Sequence, residues 1–309
     1  MRLWLLAACV AALEVSAQGL PGSERVEFAS GQEKIFGHLF RPAAGEKRPA
    51  IVVMHGSGGV TEAREGFWAR ELSAIGMVAL VTDSFTPRGV ESTVEDQSRV
   101  TTTQMVRDAQ AALRFLAGLE GVDARRIALI GFSKGGSVAL LASDRRAQLP
   151  DAAFAALVPL YPGCTVQYRN PRPAAPMLFL IGEDDNYTGI KVCAAYIERL
   201  RAAGGQATLK TYPGAHHGFD GDTRFERVFS LPKAQNYRDC VVYYEDDGRV
   251  VYAPTGELLD SAQKSIEVLR RECLRTGASV GPNYRAKMRA LDDVKEFLTN
   301  VLQIRGERT

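Results

Sequence analysis

Ile127-Ala128-Leu129-Ile130-Gly131-Phe132-Ser133-Lys134-Gly135-Gly136 is the stretch from which the rest of the chain is read. Four apolar residues in a row make a short run suited to a strand covered on both faces. Ser133 then falls in a Gly-x-Ser-x-Gly frame, and residues 134–142 read as a helix. A serine at so sharp a strand-to-helix turn projects its hydroxyl out of the fold. Glycines on either side remove side chains that would collide with neighbouring backbone. The helix start behind it adds backbone N–H groups and the positive end of a dipole. Alone the pattern is weak, and the flanking strand and helix give it weight.

Outward from this turn, apolar runs alternate with amphipathic helices. Residues 27–30 and 34–41 read as an antiparallel pair joined at Gly31, and strands are expected at 51–54, 77–82, 126–132, 153–160, 177–181 and 207–212. Helices are expected through Phe67 and Leu72, through Met105 and Leu113, and over 134–142 and 190–203. Strands separated by helices imply a mostly parallel, doubly wound α/β sheet with helices on both faces, and such sheets bind ligands beyond the carboxyl ends of their strands. The rhythm breaks at 221–281, where residues 241–244 and 250–252 flank an Asp-Asp-Gly turn and read as a hairpin. The tail returns to helix, with Met288, Leu291, Val294, Leu298 and Val301 at steps of three or four. The expected organisation is one domain over 24–305 with an inserted lobe at 221–281.

A serine hydroxyl needs a base to take its proton. The chain has four histidines. His38 falls inside an early strand and His55 precedes a glycine loop, whereas His216 and His217 directly follow the last parallel strand. Glu183-Asp184-Asp185 follows the strand at 177–181 and supplies three carboxylates, one of which can hold the imidazole's tautomer. His55-Gly56-Ser57-Gly58-Gly59 follows the first buried strand. A glycine-rich loop there can aim backbone N–H groups at a carbonyl oxygen, alongside the amide of Lys134. It is not a phosphate loop, because Val60-Thr61-Glu62 supplies no Gly-Lys-Ser/Thr. No grouping has metal-ligand spacing, so neither metal nor cofactor is expected.

Composition bounds the setting. The 309 residues are 46% hydrophobic and 24% charged, enough for a sizeable core, and a net charge of +2 gives no field to gather nucleic acid or anionic lipid. Arg2 followed by an apolar run to Leu13 and then Val15-Ser16-Ala17 has the layout of a cleaved secretory leader, too short to span a bilayer. Leu6-Ala7-Ala8-Cys9 is a lesser alternative, a lipoprotein box. Beyond the leader remain Cys164, Cys193, Cys240 and Cys273, an even count that suggests two disulfides in an exported protein, with three pairings open. Cys240 and Cys273 bracket the hairpin and a helix, so a bridge between them would staple the lobe.

Taken together, His55-Gly56-Ser57-Gly58-Gly59, residues 83–89, Gly131-Phe132-Ser133-Lys134-Gly135-Gly136, Ile181-Gly182-Glu183-Asp184-Asp185 and residues 212–217 resemble the dienelactone hydrolase family of α/β-hydrolases. The resemblance implies Ser133 as nucleophile, Asp185 rather than Asp184 as the acid, and His217 rather than His216 as the base. It also implies an oxyanion hole made by the amides of Ser57 and Lys134, and the disulfide pairs Cys164–Cys193 and Cys240–Cys273. One departure stands out: the namesake enzymes carry cysteine at the elbow, which makes dienelactone itself doubtful as substrate here. Small esters or lactones, cleaved through an acyl-enzyme, are the expectation. Arg88, after the second buried strand, is a candidate partner for a substrate carboxylate. Two other readings are a peptidase or polyester-cleaving hydrolase on the same fold, and a catalytically inactive exported binding protein.

Overall fold

The computed structural model describes residues 19–42 and 47–304; the expected leader, with Cys9 and Ala17, lies outside the described residues. The opening pair forms as read: β1 (Glu24–Ser30) and β2 (Glu33–Phe40) are antiparallel, turning at Gly31. The chain then runs β3 (Arg48–Met54), α1 (Phe67–Ala74), β4 (Val78–Asp83), α2 (Thr102–Ala117), β5 (Val122–Phe132) and α3 (Lys134–Ala142). It continues through β6 (Ala156–Leu160), a short β7 (Val166–Tyr168), β8 (Met177–Gly182), α4 (Ile190–Ala202) and β9 (Ala207–Tyr212). Eight strands make one sheet in the order β1-β2-β4-β3-β5-β6-β8-β9. Pairing is antiparallel up to β4 and parallel from there on.

The unbroken apolar runs follow from burial of both sheet faces. Successive side chains of a strand point to opposite faces, so β3 splits between two cores. Val52 and Met54 join Leu80 and Leu129 against α2, α3 and α4. Ile51 and Val53 face the other way, onto Trp68 and Leu72 of α1 and onto Leu291, Val294 and Leu298 of the last helix, α6 (Tyr284–Leu302). Helix α2 begins in a capping box, in which the Thr101 hydroxyl accepts from the Gln104 amide while the Gln104 side chain accepts from the Thr101 amide.

Between β9 and α6 lie β10 (Phe229–Asn236), β11 (Val242–Tyr244), β12 (Val250–Tyr252), β13 (Glu257–Leu258), α5 (Ala262–Glu272) and β14 (Arg275–Val280). The hairpin β11–β12 is the one read from sequence. Four strands are additions, among them the two-residue β13, which pairs with β12. β7 is only three residues long and pairs in parallel with β11, while β10 pairs with β14 across a register irregularity between Leu231 and Gln235. β7 and β13 are too short to carry a pattern, β14 shows no alternation, and β10 contains Pro232. Their pairing comes from tertiary contact rather than local pattern. The lobe has a small core of its own (Cys240, Val242, Tyr252, Leu259, Val268 and Cys273), so one disulfide lies inside it. Cys240–Cys273 and Cys164–Cys193 are both bridged, with Cα separations of 5.4 and 5.1 Å, in the pairing the family resemblance implied. Among the described residues no helix is long and apolar enough to cross a membrane.

Candidate active site

Ser133 sits between the end of β5 and the first residue of α3 with φ +54° and ψ −111°. A side-chain-bearing residue in that region costs about 1–3 kcal/mol and persists only when its surroundings impose it. Here they do. The Ser133 amide donates to Leu160 O of β6 at 3.0 Å, and its carbonyl accepts from the Ser137 amide at 2.9 Å. A Cβ on Gly131 would lie 2.0 Å from Gly135 O, and one on Gly135 would lie 2.2 Å from Met54 O. Those opponents are backbone atoms, so only glycine fits at either position.

The loops after β8 and β9 meet the serine. His217 Nε2 lies 2.8 Å from Ser133 Oγ, and His217 Nδ1 lies 2.8 Å from Asp185 Oδ2. Asp185 Oδ1 accepts from the amides of Tyr187 and Thr188 at 2.8 and 2.9 Å, and Oδ2 also accepts from Thr188 Oγ1 at 2.8 Å. Burial alone would raise the Asp185 pKa. The His217 charge and these hydrogen bonds outweigh it and hold the carboxyl well below the usual carboxylate range. Glu183 and Asp184 are exposed, and His216 is only half-buried, so of these residues the structure brings only Asp185 and His217 to Ser133.

Further residues steady the imidazole that no local pattern announced. The rings of Tyr161 and Tyr187 flank His217, with centroids 4.7 and 4.8 Å away. Three residues on, buried Asp220 accepts from Trp68 Nε1 at 2.7 Å, from Arg64 Nε at 3.1 Å and from the Tyr161 hydroxyl. Residues brought together from positions 64, 68, 161 and 220 have no sequence spacing to betray them.

The glycine loop after β3 lies against the elbow. A Cβ on Gly56 would stand 3.4 Å from Ser133 Cβ. His55 fixes this loop, accepting from the Ser84 amide at Nε2 (3.1 Å) and donating from Nδ1 to Gly56 O (2.8 Å). Ser57 is buried, and its carbonyl accepts from the Thr93 amide at 2.8 Å. The Lys134 amide belongs to the opening turn of α3, whose N–H groups have no intrahelical acceptor. Its side chain, unused in the sequence reading, is also buried, donating to Gln97 O at 2.9 Å and Thr93 Oγ1 at 3.2 Å. Burial pushes this ammonium down to about 7, against the pull of Asp96.

Arg88 requires a correction. Its five N–H groups all have acceptors in Glu33, Asp108 and Ser84 O, so no donor remains for a substrate carboxylate. With its side chain 9% exposed, it clamps β2 to α2 and is neither a ligand for substrate nor a solvated surface residue. A cavity of about 370 Å³ opens elsewhere, bordered by Ser133, Ser57 and Lys134 on the core side and by residues of α5 on the lobe side.

The sheet order, the strained serine beyond β5 and the histidine and carboxylate beyond β9 and β8 define an α/β-hydrolase. Residues 35–239, more than half of the chain, match the dienelactone hydrolase family, and the chain belongs to that family of carboxylic ester hydrolases. A Bradyrhizobium protein named as a 2-oxo-3-(5-oxofuran-2-ylidene)propanoate lactonase is 27% identical over 205 residues, covering 63% of this chain and 82% of the relative. One from Methylorubrum extorquens, named as a carboxymethylenebutenolidase, is 29% identical over 198 residues, 59% of this chain and 67% of the relative. Among solved structures, a thermophilic esterase from Thermogutta terrifontis superposes with a TM-score of 0.55 at 21% identity, over 66% of this chain and 86% of that one. At that identity the likeness shows the fold.

Proposed function

We propose that this chain is an exported serine hydrolase that cleaves small carboxylic esters or lactones through an acyl-enzyme. The observation that carries the reading is His217, 2.8 Å from Ser133 Oγ on one side and 2.8 Å from Asp185 on the other. His217 takes the Ser133 proton as Oγ attacks the substrate carbonyl. The amides of Ser57 and Lys134 receive the oxyanion, and the imidazolium, steadied by ionised Asp185, returns the proton to the leaving alcohol. Water then repeats the sequence and frees Ser133. Serine has no ready-made thiolate, so the reaction needs the full strength of the base, which suits ordinary esters as well as lactones.

Export is supported by two disulfides, which persist in oxidising compartments, and by the leader layout over residues 1–17. We read 24–305 as one catalytic domain whose lobe at 221–281 shapes the pocket. A fluorophosphonate probe tests the reading. Native protein should be labelled one-to-one and Ser133→Ala should not; absence of labelling in the native protein would refute it.

A further inference from the structure

The cavity beside Ser133 is walled by two helix faces. Ser133, Ser137 and Leu141 border it at steps of four residues, so one face of α3 descends from the nucleophile by about 12 Å at 1.5 Å per residue. Ala262, Ser265, Ile266 and Leu269 border it at steps of three and four, one face of α5. Val166 of β7, a strand packed on α3, contributes to the same wall.

The walls differ in chemistry along their length. Hydrogen-bonding groups gather around the nucleophile, where Thr188 touches Asp185 and Ser57 precedes the elbow in the glycine loop. Away from it the apolar part of the lining is Leu141, Val166, Leu269 and Ile266, the last 38% exposed, with Thr101, Thr102, Ser265 and Arg238 at its borders. Among the described residues His217 takes no part in this wall. The leaving group must face His217 to receive its proton, which leaves the slot to the half of the substrate that stays on Ser133. Helix α5 also lies beyond residue 239, where the family match ends, so this wall stands outside the matched region.

We infer that the slot between α3 and α5 is an acyl-chain subsite, and that the substrate is an ester of an unbranched apolar acid of roughly eight carbons, which lies extended within about 12 Å of helix face. This rests on the acyl-enzyme reading above. Short acids would leave the apolar lining unfilled, and strongly branched ones would not follow a slot between two helix faces. Each methylene taken from water into such a slot favours binding by roughly threefold to fourfold, so six more than acetate carries are worth at least about tenfold even with partial burial.

The test compares kcat/KM for p-nitrophenyl acetate and p-nitrophenyl octanoate on the full chain. The octanoate should be favoured by at least about tenfold. Ile266→Trp, at a half-open position, obstructs the slot and should lower the octanoate-to-acetate ratio by about fivefold or more. Ala262→Phe, in the exposed first turn of α5, obstructs it independently should the first variant fold poorly. Acetate turnover with no gain for octanoate overturns the slot and leaves the esterase reading standing. Ratios unchanged in both folded variants overturn it too. Turnover of neither ester by native protein refutes the underlying reading and the slot with it.

Discussion

The elbow at Ser133 and the lobe over residues 229–280 both border one cavity, and they are held in place by opposite means. At the elbow, backbone packs on backbone, with Gly131 against Gly135 O and Gly135 against Met54 O, so that neither position admits a methyl group. The strands around it are buried on both faces. The lobe has a small core of six buried residues, an irregular strand pair and a disulfide across 33 residues of chain. Where bonds are made and broken, geometry must hold to a fraction of an ångström; where substrate is only sorted, a stapled and replaceable wall suffices. In the function proposed above, chemistry belongs to the core and selection to the lobe.

The contrast breaks first at Gly131. Gly131→Ala should cost more than about 4 kcal/mol or prevent folding, because the added methyl has only backbone to displace; urea unfolding of the variant measures this, and a loss below about 1 kcal/mol would mean the elbow is not so constrained. Next comes the acid. Asp185→Asn should lower kcat by about a thousandfold while leaving secondary structure intact. Asp184→Asn, on an exposed side chain, should stay within about twofold, and comparable losses in both would remove the assignment. Cutting the staple acts on the lobe alone. Cys240→Ser with Cys273→Ser should lower stability by about 3–4 kcal/mol on chain-entropy grounds, read as an earlier lobe transition in urea.

The smallest effect is electrostatic. The Lys134 ammonium is pushed down to about 7, whereas in the unfolded chain it titrates near 10.4. Between those values the unfolded state binds more protons than the folded one, so this group makes stability rise with pH across that window. Lys134→Met, which keeps the backbone amide, should therefore be favoured over native protein near pH 7 and lose about 3 kcal/mol of that advantage by pH 10. A difference independent of pH would show that the amine titrates normally.

The same division explains what the sequence disclosed. The parallel strands were legible because a strand buried on both faces must be apolar throughout, as in Ile127-Ala128-Leu129-Ile130. Ser133 and the pair His216 and His217 were legible because each closes a strand in a short, chemically unusual turn, while the choice of His217 within the pair rested on family resemblance. Choosing Asp185 over Asp184 rested on family resemblance, and in the structure burial and four hydrogen-bonding groups single out the same carboxylate. Arg88 misled, since a lone arginine after a strand gives no sign of Glu33 and Asp108, distant in sequence, closing around it. Asp220 beneath Tyr161 and Trp68 left no trace for the same reason. Helix α5 was anticipated as a helix, but which of its faces meets α3 depends on how the lobe folds back.

Rapid-quench mass spectrometry during turnover of p-nitrophenyl octanoate reads directly whether Ser133 carries the acyl group. A burst of about one p-nitrophenolate per enzyme is expected, with the octanoyl mass carried on the peptide containing Ser133 and absent from Ser133→Ala. An octanoyl group on any other side chain, or ester turnover undiminished in Ser133→Ala, would contradict it.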